Sequence, residues 1–316
     1  MNSTGDKDLS RKIKDFAISI GFDLVGIASS KQLNDHKEVL QKWLAAGMHA
    51  GMDFISRDVE KRTNPALLLD GAKSVVVAGL NYFTSEKQGG DGIPVISKYV
   101  YGKDYHSVLR EKLKRLLEFI ISCEPTTSGM VCVDSGPILE KAWAREAGLG
   151  WIGKNSILIN REIGSFLFLG ELILNIELQY DKPLSNDFCG NCRLCIESCP
   201  TSAINENKTI DVRKCISWLT VENKNAIPEE YKAKIGERVF GCDICQDVCP
   251  WNKEAQPNNN AEFKLPDRVK KMSAEDWSSL SFDYFHKIFE NSSIKRATYD
   301  RFMSNIHFVL SNSRPL

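Results

Sequence analysis

The sequence predicts an α+β chain in three parts: a mixed α/β domain over residues 1–182, a small cysteine-rich domain over 183–256 and a short helical C-terminal region over 257–316. Helix-period and strand-like apolar patterns alternate through the first part. Cysteines then begin abruptly at Cys189, just after the turn-rich run DKPLSND. The polar stretch Asn252–Asn260 closes the cysteine-rich part. At 316 residues the chain is also long for one core.

Taken in order, residues 7–21 carry Leu9, Ile13, Phe16, Ala17 and Ile20 as a helical stripe. Asp23–Ser29 reads as a strand, and 31–46 as a second helix. Ser74–Tyr82 is a continuous apolar run, the signature of a strand covered on both faces. Residues 104–122 form the clearest helix, with Leu109, Leu113, Leu116, Leu117 and Ile120 on one side. Val131–Val133 is a further strand ending at Asp134. Pro137 suits the first turn of a helix capped by Ser135 or Gly136, and Gly148 would end it. Asn155–Asn160 and Ser165–Ile176 read as two strands joined through NREIG.

Composition is that of an ordinary globular protein: 42% hydrophobic, 26% charged, with Lys+Arg and Asp+Glu equal at 41 each. No global field therefore advertises nucleic acid or an anionic membrane, although phosphates respond to local patches. The N-terminal run MNSTGDKDLSRKIKDF lacks the apolar stretch of a secretory signal, and no run approaches a membrane span. The cytosol is the expected compartment. Ten cysteines in that setting point to metal or catalysis before disulfides.

Their spacing is specific. Cys189, Cys192, Cys195 and Cys199-Pro200 give C-x2-C-x2-C-x3-C-P, and Cys242, Cys245 and Cys249-Pro250 give C-x2-C-x3-C-P. This is the ferredoxin pattern, in which the fourth cysteine of a run serves the other cluster. Three closely spaced thiolates wrap one cube, while the next turn points the fourth sulfur away. One 4Fe–4S cluster then takes Cys189, Cys192, Cys195 and Cys249. The second takes Cys199, Cys242 and Cys245, with Cys215 supplying the missing ligand. Paired C-x2-C also suits zinc ribbons, but two crossing C-x3-C-P runs argue against them. Cys123 and Cys132 are left over, and both read as buried, inert thiols.

Two clusters form a wire for single electrons, and the α/β domain is where a terminal acceptor would sit. Asp134 lies at the carboxyl end of an apolar strand, where α/β proteins tend to place ligand groups. A partly desolvated carboxyl there would have a raised pKa and donate a proton. Position alone favours a helix-capping aspartate before Pro137. Gly148, Gly150 and Gly153 match G-x-G-x-x-G, but they follow a helix and precede a strand, the reverse of a dinucleotide site.

The chain resembles the epoxyqueuosine reductases over roughly 1–250. The resemblance rests on Ile55-Ser-Arg57 followed by Arg62 and Pro65, then on the block at 133–160 beginning VDSGPILEKAWAREAGLGWIGKNSILI, then on the two cysteine runs. It implies a cobalamin-binding α/β domain akin to reductive dehalogenases and nitroreductases, fused to a ferredoxin-like domain with two 4Fe–4S clusters. The implied reaction removes the epoxide oxygen of epoxyqueuosine at the wobble position of tRNA, with Asp134 as proton donor. Implied cobalamin contacts are Arg57, Ser97, Asp134, Lys154, Asn155 and Ser156, with Ser217 and Asp243 beside cluster ligands. Arg57 also reads as a solvated charge among Asp58, Glu60, Lys61 and Arg62. The implied partners are tRNA carrying epoxyqueuosine and an unidentified electron donor, with no membrane and a monomeric chain. A reductive dehalogenase and a non-catalytic electron carrier are the competing expectations. No Asp-x-His-x-x-Gly loop is present, and the five histidines are scattered and read as surface or satisfied polar residues. Longer family members carry a larger helical-repeat region; here the tail is mildly basic, with Lys264, Arg268, Lys270, Lys271, Lys295, Arg296, Arg301 and Arg314 among interleaved acids.

Overall fold

The computed structural model describes residues 6–311; Met1–Gly5 and Arg314, both used in the sequence reading, lie outside the described residues. Four strands make the main sheet: β1 (Leu24–Ser29), β2 (Ser74–Asn81), β3 (Gly129–Cys132) and β4 (Leu167–Leu174). Their order is β1-β2-β4-β3, antiparallel throughout. Every residue of β2 is buried, as its unbroken apolar run requires, because helices cover both faces of this antiparallel sheet.

On one face lie α1 (Lys7–Ser19) and α3 (Tyr105–Cys123). Leu109, Leu113, Leu116 and Ile120 recur at helical spacing on α3, so one stripe packs with Ile13 of α1 and with Val76 and Leu172 of the sheet. The Asp104 side chain caps α3 by accepting from the His106 N–H at 3.0 Å. On the other face α4 (Glu140–Glu146) buries Ala142, Trp143 and Ala144 with Val75, Val77 and Ile173. α2 (Asn34–Ala45) lies outside this core and has no buried residue.

Three local expectations are corrected. Neither Ser135 nor Gly136 caps α4; it begins after Leu139 with no side-chain cap, because the segment before it is shaped around Asp134. Gly148 does end it, at φ +74°. Strands form within 155–160 and 165–176, much shorter in the first, and they do not pair with each other: Leu158–Ile159 pairs with Trp151–Ile152, and Leu167–Leu174 enters the main sheet. The Asn160–Gly164 bridge merely turns the chain from one to the other. Cys132 is buried but Cys123 is exposed, since α3 runs past the sheet in its last residues.

The rest of the chain builds a second core. Val95–Ile96 pairs in parallel with Arg238–Phe240, and Ile96, Val100 and Tyr101 pack with Trp277, Phe285 and Phe302 from the C-terminal helices. α5 (Tyr299–Leu310) is tied in by Asn305, whose amide donates to the carbonyls of Thr220 and Val239 at 2.9 and 3.0 Å. The C-terminal region also reaches the first domain. The Asn291 carbonyl accepts the Asp104 N–H at 2.6 Å, and Ser292 Oγ donates to the Val100 carbonyl at 3.0 Å.

Candidate active site

The cysteine loops open into short helical turns, Leu194–Glu197 and Ile244–Asp247, too short to bury a face of their own. What they bury is sulfur. Cys189, Cys192, Cys195 and Cys249 line one small cavity, with Lys154, Asn155 and Trp251 in its walls. Burial pushes the Cys195 thiol up, and the closeness of Cys189, Cys249 and Cys192 pushes it the same way. The other four form a second group. Cys242 is pushed up to about 12 by burial, and Cys215 adds to that push. Cys245 is raised well above the ordinary range by burial, then by Cys242 and Cys215. Burial raises Cys215 too, with Cys199 adding to it, while the N–H groups of Trp218 and Ser217 pull it back. Two tetrads of thiols therefore converge, each too crowded to ionise without a positive centre. Iron in a cluster supplies that charge, so the donor sets fit two cubes.

Asp134 follows β3 with φ +48°, a left-handed conformation that costs a non-glycine residue energy and calls for outside support. Its N–H donates to Glu140 Oε1 at 2.5 Å. Its carboxyl meets His106 Nε2 at 2.7 Å and accepts from the Tyr105 hydroxyl at 3.1 Å, with Arg296 Nη1 at 3.8 Å. His106 Nδ1 lies 2.6 Å from Asp104 Oδ1, so an aspartate–histidine–aspartate line runs in from α3. Tyr105 is fixed by stacking on Phe168, ring centroids 4.4 Å apart.

The expected rise in the Asp134 pKa is corrected. Burial does push it up, but the hydrogen bond and charge of His106, then Tyr105 and Arg296, hold it below the usual carboxylate value. His106 moves oppositely: burial lowers it, and the two flanking carboxylates more than reverse that. The two shifts run opposite ways, so a proton shared by this pair favours the imidazole over the carboxyl.

Beside Asp134 opens a cavity of about 630 Å³, within the range of small-molecule sites. Its walls are largely apolar, with Met52, Phe54, Ile138, Leu139, Trp151 and Ile152. Three buried nitrogens on those walls, Arg62 Nε, His36 Nε2 and Trp151 Nε1, have no hydrogen-bond partner among the described residues. Unpartnered donors on an apolar wall are what a large ligand edged with amides and phosphate would satisfy.

Comparison with known proteins decides the family. Residues 62–135 match the family described as epoxyqueuosine reductase QueG, DUF1730, and residues 188–252 match the 4Fe-4S double cluster binding domain. The epoxyqueuosine reductase of Leadbetterella byssophila is 45% identical over 304 residues, 96% of this chain and 99% of that protein. That of Pseudomonas aeruginosa is 38% identical, covering 96% of this chain and 86% of its own length. The chain belongs to the epoxyqueuosine reductase family. Among solved structures, an epoxyqueuosine reductase with a tRNA-Tyr epoxyqueuosine-modified stem loop superposes with a TM-score of 0.90 at 32% identity, covering 96% of this chain and 81% of the other. One from Bacillus subtilis, with its catalytic aspartate loop swung out of the active site, gives 0.89 at 32%, covering 96% and 82%. The chain carries two 4Fe–4S clusters.

The cofactor contacts that the resemblance implied are spread over five places. Asp134 and Ser156, the latter at φ +62°, line the large cavity. Ser97 Oγ donates to Asp243, whose other oxygen accepts the Lys98 N–H at 2.8 Å, in a separate cavity beside Cys242. Lys154 Nζ donates to the carbonyls of Gly190 and Cys192 at 2.8 and 2.9 Å, clamping the first cysteine loop. Asn155, almost wholly buried, donates to the Cys245 carbonyl at 3.4 Å. Ser217 lies beside Cys215, and Arg57 is exposed and does not line the large cavity. Arg62, quoted only as part of a motif, is the buried arginine there, its Nη2 donating to the Phe54 carbonyl at 2.9 Å. His106, read as surface or satisfied polar, is the residue that sequence reasoning missed. The three-residue frame Asp104-Tyr105-His106 at a helix start was the available signal, since a capping aspartate holds the histidine two residues on.

Proposed function

We propose that this chain reduces epoxyqueuosine in tRNA to queuosine, with Asp134 delivering the proton that lets the epoxide oxygen leave. The observation that carries the reading is the Asp134 carboxyl at the cavity wall, 2.7 Å from a buried histidine that a second carboxylate holds in place. The overall change takes two electrons and two protons: both carbon–oxygen bonds of the epoxide break, a double bond forms, and the oxygen departs as water. Cobalamin, when bound in the large cavity, supplies low-potential electrons to the substrate carbon. The unpartnered donors of Arg62, His36 and Trp151 are the groups that would meet its polar periphery.

The residues of the chain supply the protons. As the carbon–oxygen bond stretches, charge grows on oxygen, and Asp134 passes a proton to it while drawing one from His106 Nε2. Asp104 stabilises the imidazolium and fixes its ring. Tyr105 keeps the Asp134 carboxyl turned toward the cavity through its hydroxyl. The two clusters held by the eight cysteines would pass single electrons inward from a donor protein, which we place in the cytosol with a monomeric form of this chain. That a related enzyme binds an epoxyqueuosine-modified tRNA stem loop supports the substrate.

Asp134→Asn tests the assignment. The variant is expected to retain its clusters, bind cobalamin and undergo cobalt reduction, while turnover of epoxyqueuosine-tRNA falls by about 10²- to 10⁴-fold. Turnover at the parent rate would overturn it.

A further inference from the structure

Two carboxyls near the Asp134 loop have no part in the proton path: Glu140, which also lines the large cavity, and Glu171 in the sheet. Glu140 opens α4 and accepts the Asp134 N–H at 2.5 Å. Glu171 sits in the middle of β4, opposite Val77 of β2 and Cys132 of β3. It has no exposed surface, and neither carboxyl oxygen has a hydrogen-bond partner among the described residues. α4 packs against that same face of the sheet, and the charge of Glu140 is felt at Glu171.

We propose that Glu140 and Glu171 form a positioning pair for the catalytic aspartate: Glu140 clamps the left-handed turn through the Asp134 N–H, and Glu171 retains an acid proton behind that clamp, so that the pair carries at most one charge. This rests on the role given to Asp134 above.

The argument is electrostatic and geometric. A wholly buried carboxylate with no donor is not tolerated as an anion, so Glu171 is a neutral acid. Burial, then the charge of Glu140 and of Asp134, pushes it well above the ordinary range. Glu140 is pushed up to about 7, first by burial and then by Asp134, while the Asp134 N–H, Lys141 and His106 favour its charge. Arg62, Tyr105 and Cys132 complete the groups within electrostatic reach of Glu140, and Cys132 and Asp134 those of Glu171. Glu140 therefore ionises around neutrality. Once charged, its bond to the Asp134 N–H is charge-assisted, roughly twice as strong as a neutral one. An ionised Glu171 would put a third anion beside Asp134 and Glu140 and loosen the loop that the pair holds. The left-handed turn of Asp134 is the strained element on which the clamp acts.

The test uses the cobalamin-loaded holoprotein and two conservative variants. Parent turnover should fall several-fold as pH drops through about 7 and Glu140 takes up its proton, then level off. Glu140→Gln keeps an acceptor for the Asp134 N–H but cannot titrate. It should lose that acidic limb, with kcat reduced several-fold and KM for the tRNA unchanged. Infrared spectroscopy reads the second half: the parent should show a protonated carboxyl band at pH 8 that is missing from Glu171→Gln. An acidic limb that survives in Glu140→Gln would overturn the clamp. A parent-minus-Glu171→Gln spectrum without that band would overturn the retained proton, and it decides the matter should Glu140→Gln not fold. An Asp134→Asn protein that still turns over would instead sink the role of Asp134 and leave the infrared band in place, so the two failures are told apart.

Discussion

Asp134 and His106 stand 28 residues apart in sequence, and no spacing rule joins them. The sequence put Asp134 in the right place, at the end of a strand beside the site, for a reason that held. Its protonation did not follow, because the expectation counted burial and could not count a histidine brought in by another helix. The imidazole changes the prediction for activity. His106 is raised above its ordinary value, so the proton it stores is present below that value and lost as pH rises through it. Turnover should accordingly decline on the alkaline side. His106→Gln should lose that limb and run about 10²-fold slower in a pH–rate measurement. Glu171 makes an opposite kind of statement, about stability. Its folded pKa lies well above the unfolded carboxyl value of about 4.3, so the native state binds more protons and stability drains away as pH rises past that value. Glu171→Gln removes the loss. Thermal unfolding should show the variant gaining over the parent as pH goes from 5 to 8, and an equal gain at both pH values would contradict a buried neutral acid.

At the scale of elements, most helices and strands could be read from apolar period alone, because α1, α3 and the sheet strands bury one stripe or both faces of a run. What could not be read was pairing. Residues 155–160 and 165–176 looked like neighbours, yet Leu167–Leu174 is claimed by β2 and β3, whose long apolar registers outweigh a short local hairpin. The glycine triplet at 148–153 shows the same lesson. It has the spacing of a nucleotide loop, but its job is close packing: a Cβ on Gly150 would stand 2.2 Å from the Ile159 carbonyl oxygen. Gly150→Ala should therefore cost about 1–3 kcal/mol by denaturant unfolding, from overpacking of backbone that cannot move aside. A loss below a few tenths would mean that the strand pair Trp151–Ile152 with Leu158–Ile159 gives way easily.

For the whole molecule, the cysteine spacing was the most legible feature because it encodes chemistry directly; the fold brings Cys189, Cys192, Cys195 and Cys249 to one small cavity and leaves Cys199, Cys215, Cys242 and Cys245 within electrostatic reach of one another. The large cavity was not legible, since its walls come from residues 36–62, 134–156 and 184–212, which no pattern links. The C-terminal region was read as a short helical tail, mildly basic with interleaved acids. Its helices form, and they also supply part of a second core and bring Arg296 to within 3.8 Å of Asp134. On the proposed reading, the clusters deliver electrons and the α3 residues Asp104 and His106 deliver protons to the cavity that Asp134 lines. The most direct test is a single-turnover reaction of the cluster- and cobalamin-loaded protein, reduced and mixed with epoxyqueuosine-tRNA, with the released nucleosides weighed by mass spectrometry. The account predicts queuosine, lighter by one oxygen, in amounts that match the active protein. Unchanged epoxyqueuosine from a fully loaded and reduced protein would contradict it.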